Sequence, residues 1–220
     1  MAPQGDTSQR PRSSLWHACR RILRGIWRRA VPPVRIFRER ILAVERPDDI
    51  QPVEVRADLA ICDVTAENVG QVEGFRGPDI ARVLTSYLEA GQYGAYAMAD
   101  GEVVGHVWAM LGSATAPLLN GYLPVPEGQA AVHFGRVRED FRGNRLLPAM
   151  MARVCTRAFR EAGVDRVLVN ADLTNTASLR AIERMGFRPR EDRAFLLVFG
   201  KCVRSWPIGQ QHTQEDNAQT

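Results

Sequence analysis

Three arginines crowd one short turn. Arg138 ends a strand-like run that begins at Val132, and Phe141-Arg142-Gly143-Asn144-Arg145 leads from it into a helical pattern. A strand that passes through a glycine-containing turn into a helix leaves several backbone N–H groups without intrahelical partners. Those donors and the positive end of the helix dipole attract an anion. Arg138, Arg142 and Arg145 add formal charge, and a guanidinium grips phosphate oxygens through two parallel hydrogen bonds. The combination suits a diphosphate. Taken alone, Arg-Gly-Asn-Arg is a weak signal that also fits any tight strand-to-helix turn.

The elements that must hold this turn are legible on both sides of it. Pro148 fits the first turn of a helix, where its missing N–H has no partner to lose. Beyond it Leu147, Met150, Met151, Val154, Ala158, Phe159 and Ala162 recur at intervals of three and four, one apolar stripe that Gly163 stops. A strand over Arg166 to Asn170 follows. Asn175 then caps a short helix with Leu179 and Ile182 inward, which closes at Gly186 before Phe187 opens another strand. Upstream, Val53 to Ile61 alternates as a first strand and Thr65 begins a short helix. Pro78-Asp79 begins a longer one with Ile80, Val83, Leu84, Tyr87 and Leu88 inward. Tyr93 to Ala99 and Val103 to Leu111 form a hairpin about Asp100-Gly101. Gly112 to Gln129 is a long loop without periodicity, and such loops inside compact domains usually carry function.

The joint spacing resembles the GNAT superfamily of acetyl-CoA-dependent N-acetyltransferases over roughly Val53 to Val203. Its pyrophosphate loop reads Arg/Gln-x-x-Gly-x-Gly/Ala, and its later turn reads Asn-x-x-Ala/Ser-x-x-x-(Tyr)-x-x-x-Gly-Phe. Arg142 takes the Arg/Gln place, and Asn175, Ser178, Gly186 and Phe187 take the places of the later motif without a gap. The resemblance implies an α/β (α+β) GNAT fold: a central mixed, mostly antiparallel sheet, splayed between its fourth and fifth strands and flanked by helices. It implies acetyl-CoA as cosubstrate, bound by Val137, Arg138, Arg142, Gly143, Asn144, Arg145, Leu146, Leu147, Asn175 and Ser178, with Val137 acting through its backbone. Two departures stand out. Arg145 and Leu147 occupy the small-residue places of the loop, where a glycine would let the backbone approach a pyrophosphate. Ile182 stands where many members carry a tyrosine that protonates the departing thiolate, so Ser178 or a water is left as donor.

For the general base, His133 is the best single candidate, four residues before Val137 on what reads as the same strand face, with an imidazole that titrates near working pH. A hydrogen-bonded core histidine is the competing reading, and Glu139 and Glu183 are lesser alternatives. The resemblance places the long loop at the acceptor pocket, making Asn120 and Tyr122 candidates for substrate contact; as plain surface loop residues they need no such role. Three functions compete: an N-acyltransferase acting on a small-molecule or peptide amine, a degenerate coenzyme-binding domain with a regulatory or scaffold role, and a recruited accessory module.

Charge divides the chain. Residues 1–40 hold ten arginines against Asp6 and Glu39, a net +8, while the other 180 residues carry 19 basic against 23 acidic groups. The expected organisation is a basic arm and linker over 1–50, a GNAT domain over 51–205 and a disordered tail over 206–220. Within the arm, Leu15, Trp16, Cys19, Ile22, Leu23, Ile26 and Trp27 fall at helical intervals among arginines, up to the break at Pro32-Pro33. Residues 15–31 read as an interfacial helix on an anionic membrane, a helix docked on a partner or on its own domain, an organellar transit peptide, or, least favoured, a nucleic-acid contact. Four scattered cysteines with no ligand spacing argue against a metal site and for a reducing compartment, hence a cytoplasmic protein or one peripheral to the membrane. Nothing in the sequence addresses oligomeric state.

Overall fold

In the computed structural model, residues 34–112, 118–119 and 121–209 are described. The amphipathic stretch 15–31, Asn120 and the end of the chain from residue 210 lie outside them. In chain order the elements are β1 (Val34–Val44), β2 (Leu59–Asp63), a short α1 (Glu73–Arg76), α2 (Pro78–Glu89), β3 (Tyr93–Ala99), β4 (Glu102–Leu111), β5 (Leu118–Leu119), β6 (Leu123–Pro124), β7 (Gln129–Val137), α3 (Leu146–Ala162), β8 (Arg166–Asp172), α4 (Thr176–Arg184), β9 (Arg188–Val198) and β10 (Lys201–Pro207). Eight strands form one sheet in the order β10-β9-β1-β8-β7-β4-β3-β2. Every neighbouring pair is antiparallel except β7 and β8, whose parallel pairing requires a crossover, supplied by α3.

The apolar stripe of α3 explains its position. Leu146, Met150, Val154, Cys155 and Ala158 are buried against Leu42, Val107, Val132, Val167 and Val169 on one face of the sheet. The opposite face is covered in two parts. Leu84 of α2 packs with Tyr96 and Trp108, while Leu119 and Leu123 of the β5–β6 ribbon and the adjoining Val125 pack on Ile41, Leu168 and Phe195. Burying each large aliphatic side chain contributes about 1.5–3 kcal/mol, so both layers are needed to hold the sheet.

The largest departure from the sequence reading is β1. Residues 34–44, assigned to the arm and linker, are an interior strand paired with β8 on one side and β9 on the other. A bidentate contact from Arg40 to Asp192, at 2.7 and 2.8 Å, ties it to β9. The domain therefore begins well before residue 51. The strand expected over Val53 to Ile61 is shorter and later, Leu59–Asp63, because Arg56 and Asp58 close a turn immediately before it. Val83 and Ala162, expected inward, are exposed, and the expected loop 112–129 contains the β5–β6 ribbon.

Candidate functional site

β7 and β8 pair only over Gln129–Val132 and Arg166–Val169, yet β7 runs on to Val137 and β8 to Asp172. Beyond the last pair the two strands separate. The cause is visible in the register of β7 with β4: Trp108 faces His133 and His106 faces Arg136, so Phe134 and Gly135 together oppose one residue. Phe134 takes a left-handed φ of 53° at this bulge. A bulge bends its strand and strengthens the local twist, and such irregularities recur beside active sites.

The bulge also reverses which residues share a face. His133 pairs with Trp108 and Val137 with Gly105, three residues apart on β4, so His133 and Val137 point to opposite faces, contrary to the alternation read from sequence. Val137 lies on the α3 side. His133 lies on the other, buried, its ring 5.2 Å from that of Tyr87 and its Nε2 2.8 Å from Gln92 Oε1. That contact makes Nε2 the donor to the amide oxygen. Burial pushes the imidazole pKa down to about 4, which leaves His133 neutral and a poor proton acceptor.

The same physics gives a stability test. His106, fully buried beside Arg76, is also lowered to about 4, by burial first and then by that cation. As pH falls from about 6.5 to 4 the unfolded chain binds protons at both histidines that the native protein refuses. Stability contributed above pH 6.5 is therefore lost across this window, on the order of 3 kcal/mol per imidazole. Urea denaturation of His133→Gln should show a shallower loss than the wild type between pH 7 and 4; equal slopes would mean that His133 titrates normally in the native protein.

On the α3 side of the sheet a cavity of about 900 Å³ lies at the mouth of the splay. Its walls bring together Val137, Arg142, Gly143, Arg145, Leu146, Leu147, Asn175 and Ser178 from the sequence-based list. Arg145 adopts a left-handed φ of 59° as the N-cap of α3 and Gly143 a φ of 83°, so the turn has the curvature of a loop with glycine at both places. The Arg145 side chain makes no capping hydrogen bond, and the first turn of α3 holds no acidic residue. The Leu146 and Leu147 N–H groups thus lack intrahelical partners, in residues that line the cavity. Arg142 is 2.9 Å from Glu139. Asn175 accepts a hydrogen bond from the Ser178 N–H at 3.2 Å, fixing the start of α4 at the same rim.

Two residues expected there are placed elsewhere. Arg138 reaches Asp140 at 2.9 Å and Glu102 at 3.5 Å and stacks over Phe141, while the Asn144 amide turns back to the Phe141 carbonyl at 3.1 Å; neither lines the cavity. Arg136 and Arg184 line it instead, which sequence reasoning missed. Arg136 borders the cavity although its pairing with His106 puts its side chain on the His133 face, opposite Val137.

A second cavity of about 360 Å³ occupies the splay itself. It shares Gly135, Leu147, Pro148, Asn175, Ser178 and Met185 with the first, so the two are contiguous. Its far wall carries Glu39, Tyr122, Asn170 and Asp172, and the Tyr122 hydroxyl lies 3.1 Å from each Glu39 oxygen. Tyr122, a candidate for substrate contact by sequence, thus lines this inner cavity. Its partner Glu39 belongs to the strand that sequence left in the linker. Among the described residues no cluster of three or more His, Cys, Asp or Glu side chains could hold a metal ion, and no helix is long and apolar enough to cross a membrane.

This architecture is that of the GNAT acetyltransferases. Residues 90–195 match the family model described as an acetyltransferase (GNAT) domain. Solved structures of the same fold include a tandem GNAT protein from the clavulanic acid biosynthesis pathway, 16% identical, covering 80% of this chain and 55% of its own with a TM-score of 0.52. A GCN5-related N-acetyltransferase from Sphaerobacter thermophilus is 18% identical over 80% of this chain and 54% of its own, TM-score 0.52. An acetyltransferase from the GNAT family of Novosphingobium aromaticivorans is 16% identical over 75% and 67%, TM-score 0.52. The chain thus spans little more than half the length of the first two. No curated protein matches its sequence. The chain thus carries a match to the GNAT domain over residues 90–195 and has the fold of the GNAT structures.

Proposed function

We propose that this protein transfers an acetyl group from acetyl-CoA directly to an amine. The observation that carries the reading is the pair of contiguous cavities with opposite charge: Arg142, Arg145 and Arg184 at one end, Glu39 and Asp172 at the other, meeting where β7 parts from β8. The diphosphate of the coenzyme sits on the turn before α3, held by the Leu146 and Leu147 N–H groups and by Arg142 and Arg145. Its pantetheine arm runs along the freed edge of β7, whose backbone N–H groups around Val137 pair with its amides and polarise the thioester carbonyl. The amine enters from the opposite face, attacks that carbonyl, and the thiolate leaves toward Ser178.

Thiol release from acetyl-CoA by the purified protein against a broad amine panel, with mass analysis of any product, tests the reading. Arg142→Ala should weaken acetyl-CoA binding by about 1–3 kcal/mol, through loss of a charge-assisted phosphate contact. Unchanged calorimetric affinity in the folded variant would contradict the loop assignment.

One observation favours a second reading, a coenzyme-binding domain without turnover. A Cβ placed on Gly135 would lie 2.8 Å from Leu147 Cδ1, so the leucine fills the crevice at the bulge where the family pattern has a small residue. Binding of acetyl-CoA with no thiol release for any amine would select it.

A further inference from the structure

Two carboxylates line the inner cavity and both are held by neutral donors: Asp172, exposed, by the Thr174 N–H and hydroxyl, and Glu39, which alone of the two is half-buried. Asn170 Nδ2 donates to Glu39 at 2.7 Å, and the single O–H of Tyr122 is shared between its two oxygens at 3.1 Å each. No arginine is bonded to it among the described contacts, whereas the nearby carboxylates Asp192 and Glu191 are taken by Arg40 and Arg193. Neutral donors fix the position of a carboxylate without neutralising it. The site is thus built to present an anion, and the loop-end cavity is built to receive one.

We infer that Glu39 is the carboxylate that receives the ammonium group of the acceptor and takes its proton. The inference rests on the acetyl-transfer reading and deepens it. In the reaction, a proton passes from the acceptor R–NH3+ to Glu39, freeing the nitrogen lone pair. That pair forms the C–N bond at the thioester carbonyl carbon, the C–S bond breaks, and the surplus proton on nitrogen goes to the departing sulfur to give the thiol. Glu39 then returns its proton to solvent, so one ammonium ion and one thioester give one amide, one thiol and one proton.

The surroundings favour proton uptake by Glu39. Burial raises the pKa of Glu39 above the ordinary carboxylate value, opposed by the hydrogen bonds from Asn170 and Tyr122, raised further by Asp172 and lowered by Arg35. On β9 the residue opposite is Arg193, which is engaged by Glu191. On β7, His133 borders the same cavity but is held by Gln92. Burial thus makes Glu39 a better proton acceptor than an ordinary carboxylate and His133 a poorer one than an ordinary imidazole.

The test uses the full chain, saturated with CoA, and three ammonium probes: spermidine, lysine amide and glucosamine. Glu39→Gln preserves shape and the Asn170 and Tyr122 neighbours. It should bind acetyl-CoA within about twofold of wild type, lose amine affinity measured by calorimetry at least about tenfold, and lose thiol release by about a hundredfold or more. Tyr122→Phe removes a donor from the carboxylate, so the acid limb of its kcat/KM profile should move to higher pH, a shift that a merely structural role would not produce. That second variant decides the matter if Glu39→Gln does not fold. Amine binding and turnover that survive in Glu39→Gln, an unmoved acid limb in Tyr122→Phe, or no binding of any probe to wild type each overturn the inference. Glu39-dependent amine binding without any thiol release would instead sink the acetyl-transfer reading and leave Glu39 as an ammonium site.

Discussion

A chain beginning at Arg46 should lose cooperative unfolding altogether, while one beginning at Val34 should keep it. β1 lies between β8 and β9, so its removal splits the eight-stranded sheet and bares two edges. It also withdraws Ile41, Leu42 and Val44, all buried, from both faces of the core. At about 1.5–3 kcal/mol each, these side chains alone approach the 5–15 kcal/mol that typically separates a native domain from its unfolded state. Urea titration followed by circular dichroism decides the point. A sigmoidal transition in the chain from Arg46 would mean that β8 and β9 close directly on each other.

Gly186→Ala should lower stability by about 3 kcal/mol or more and the melting temperature by roughly 6–12 °C. Gly186 adopts φ of +100°, and a Cβ there would fall 1.9 Å from the backbone oxygen of Asp49. The segment it would strike cannot retreat freely, because the Gln51 N–H donates to the Met185 carbonyl at 3.0 Å. Gln51, Pro52 and Met185 line the large cavity, so acetyl-CoA affinity should fall with stability. A drop of less than about 2 °C in a thermal melt would show that residues 49–51 can shift aside.

These two cases mark where sequence reasoning reached and where it stopped. Gly186 is legible as the stop of a short helix after Asn175. That it must also admit the backbone of Asp49 is not legible, because the partner lies far away in sequence. The unit from β7 through α4 was readable because its signals are local: a stripe at intervals of three and four, Gly163 after the helix, and an asparagine cap confirmed by its hydrogen bond to the Ser178 N–H. β1 hid because its charges fall on both faces. Arg40 is directed to Asp192 and Glu39 to Tyr122 and Asn170, so Val-Arg-Ile-Phe-Arg-Glu-Arg shows no clean period of two and reads as more of the basic arm. The site suffered the same blindness twice over. Its acidic wall came from the hidden strand, and its inner geometry came from a bulge that exchanged the faces of His133 and Val137.

The placement of β1 has a consequence for how the chain is made. Its partners in β8 lie more than 120 residues downstream, so on the ribosome the first strand waits while nearly the whole domain is synthesised. At about 5–20 residues per second that interval is on the order of ten seconds. During it Ile41, Leu42, Ala43 and Val44 have no sheet to enter, and such an apolar run is a site for pairing with other chains. Arg35, Arg38, Glu39 and Arg40 directly precede it, in the manner of charged residues that discourage premature association. The charges that disguised the strand from a reader of the sequence also guard it from its neighbours until β8 and β9 exist.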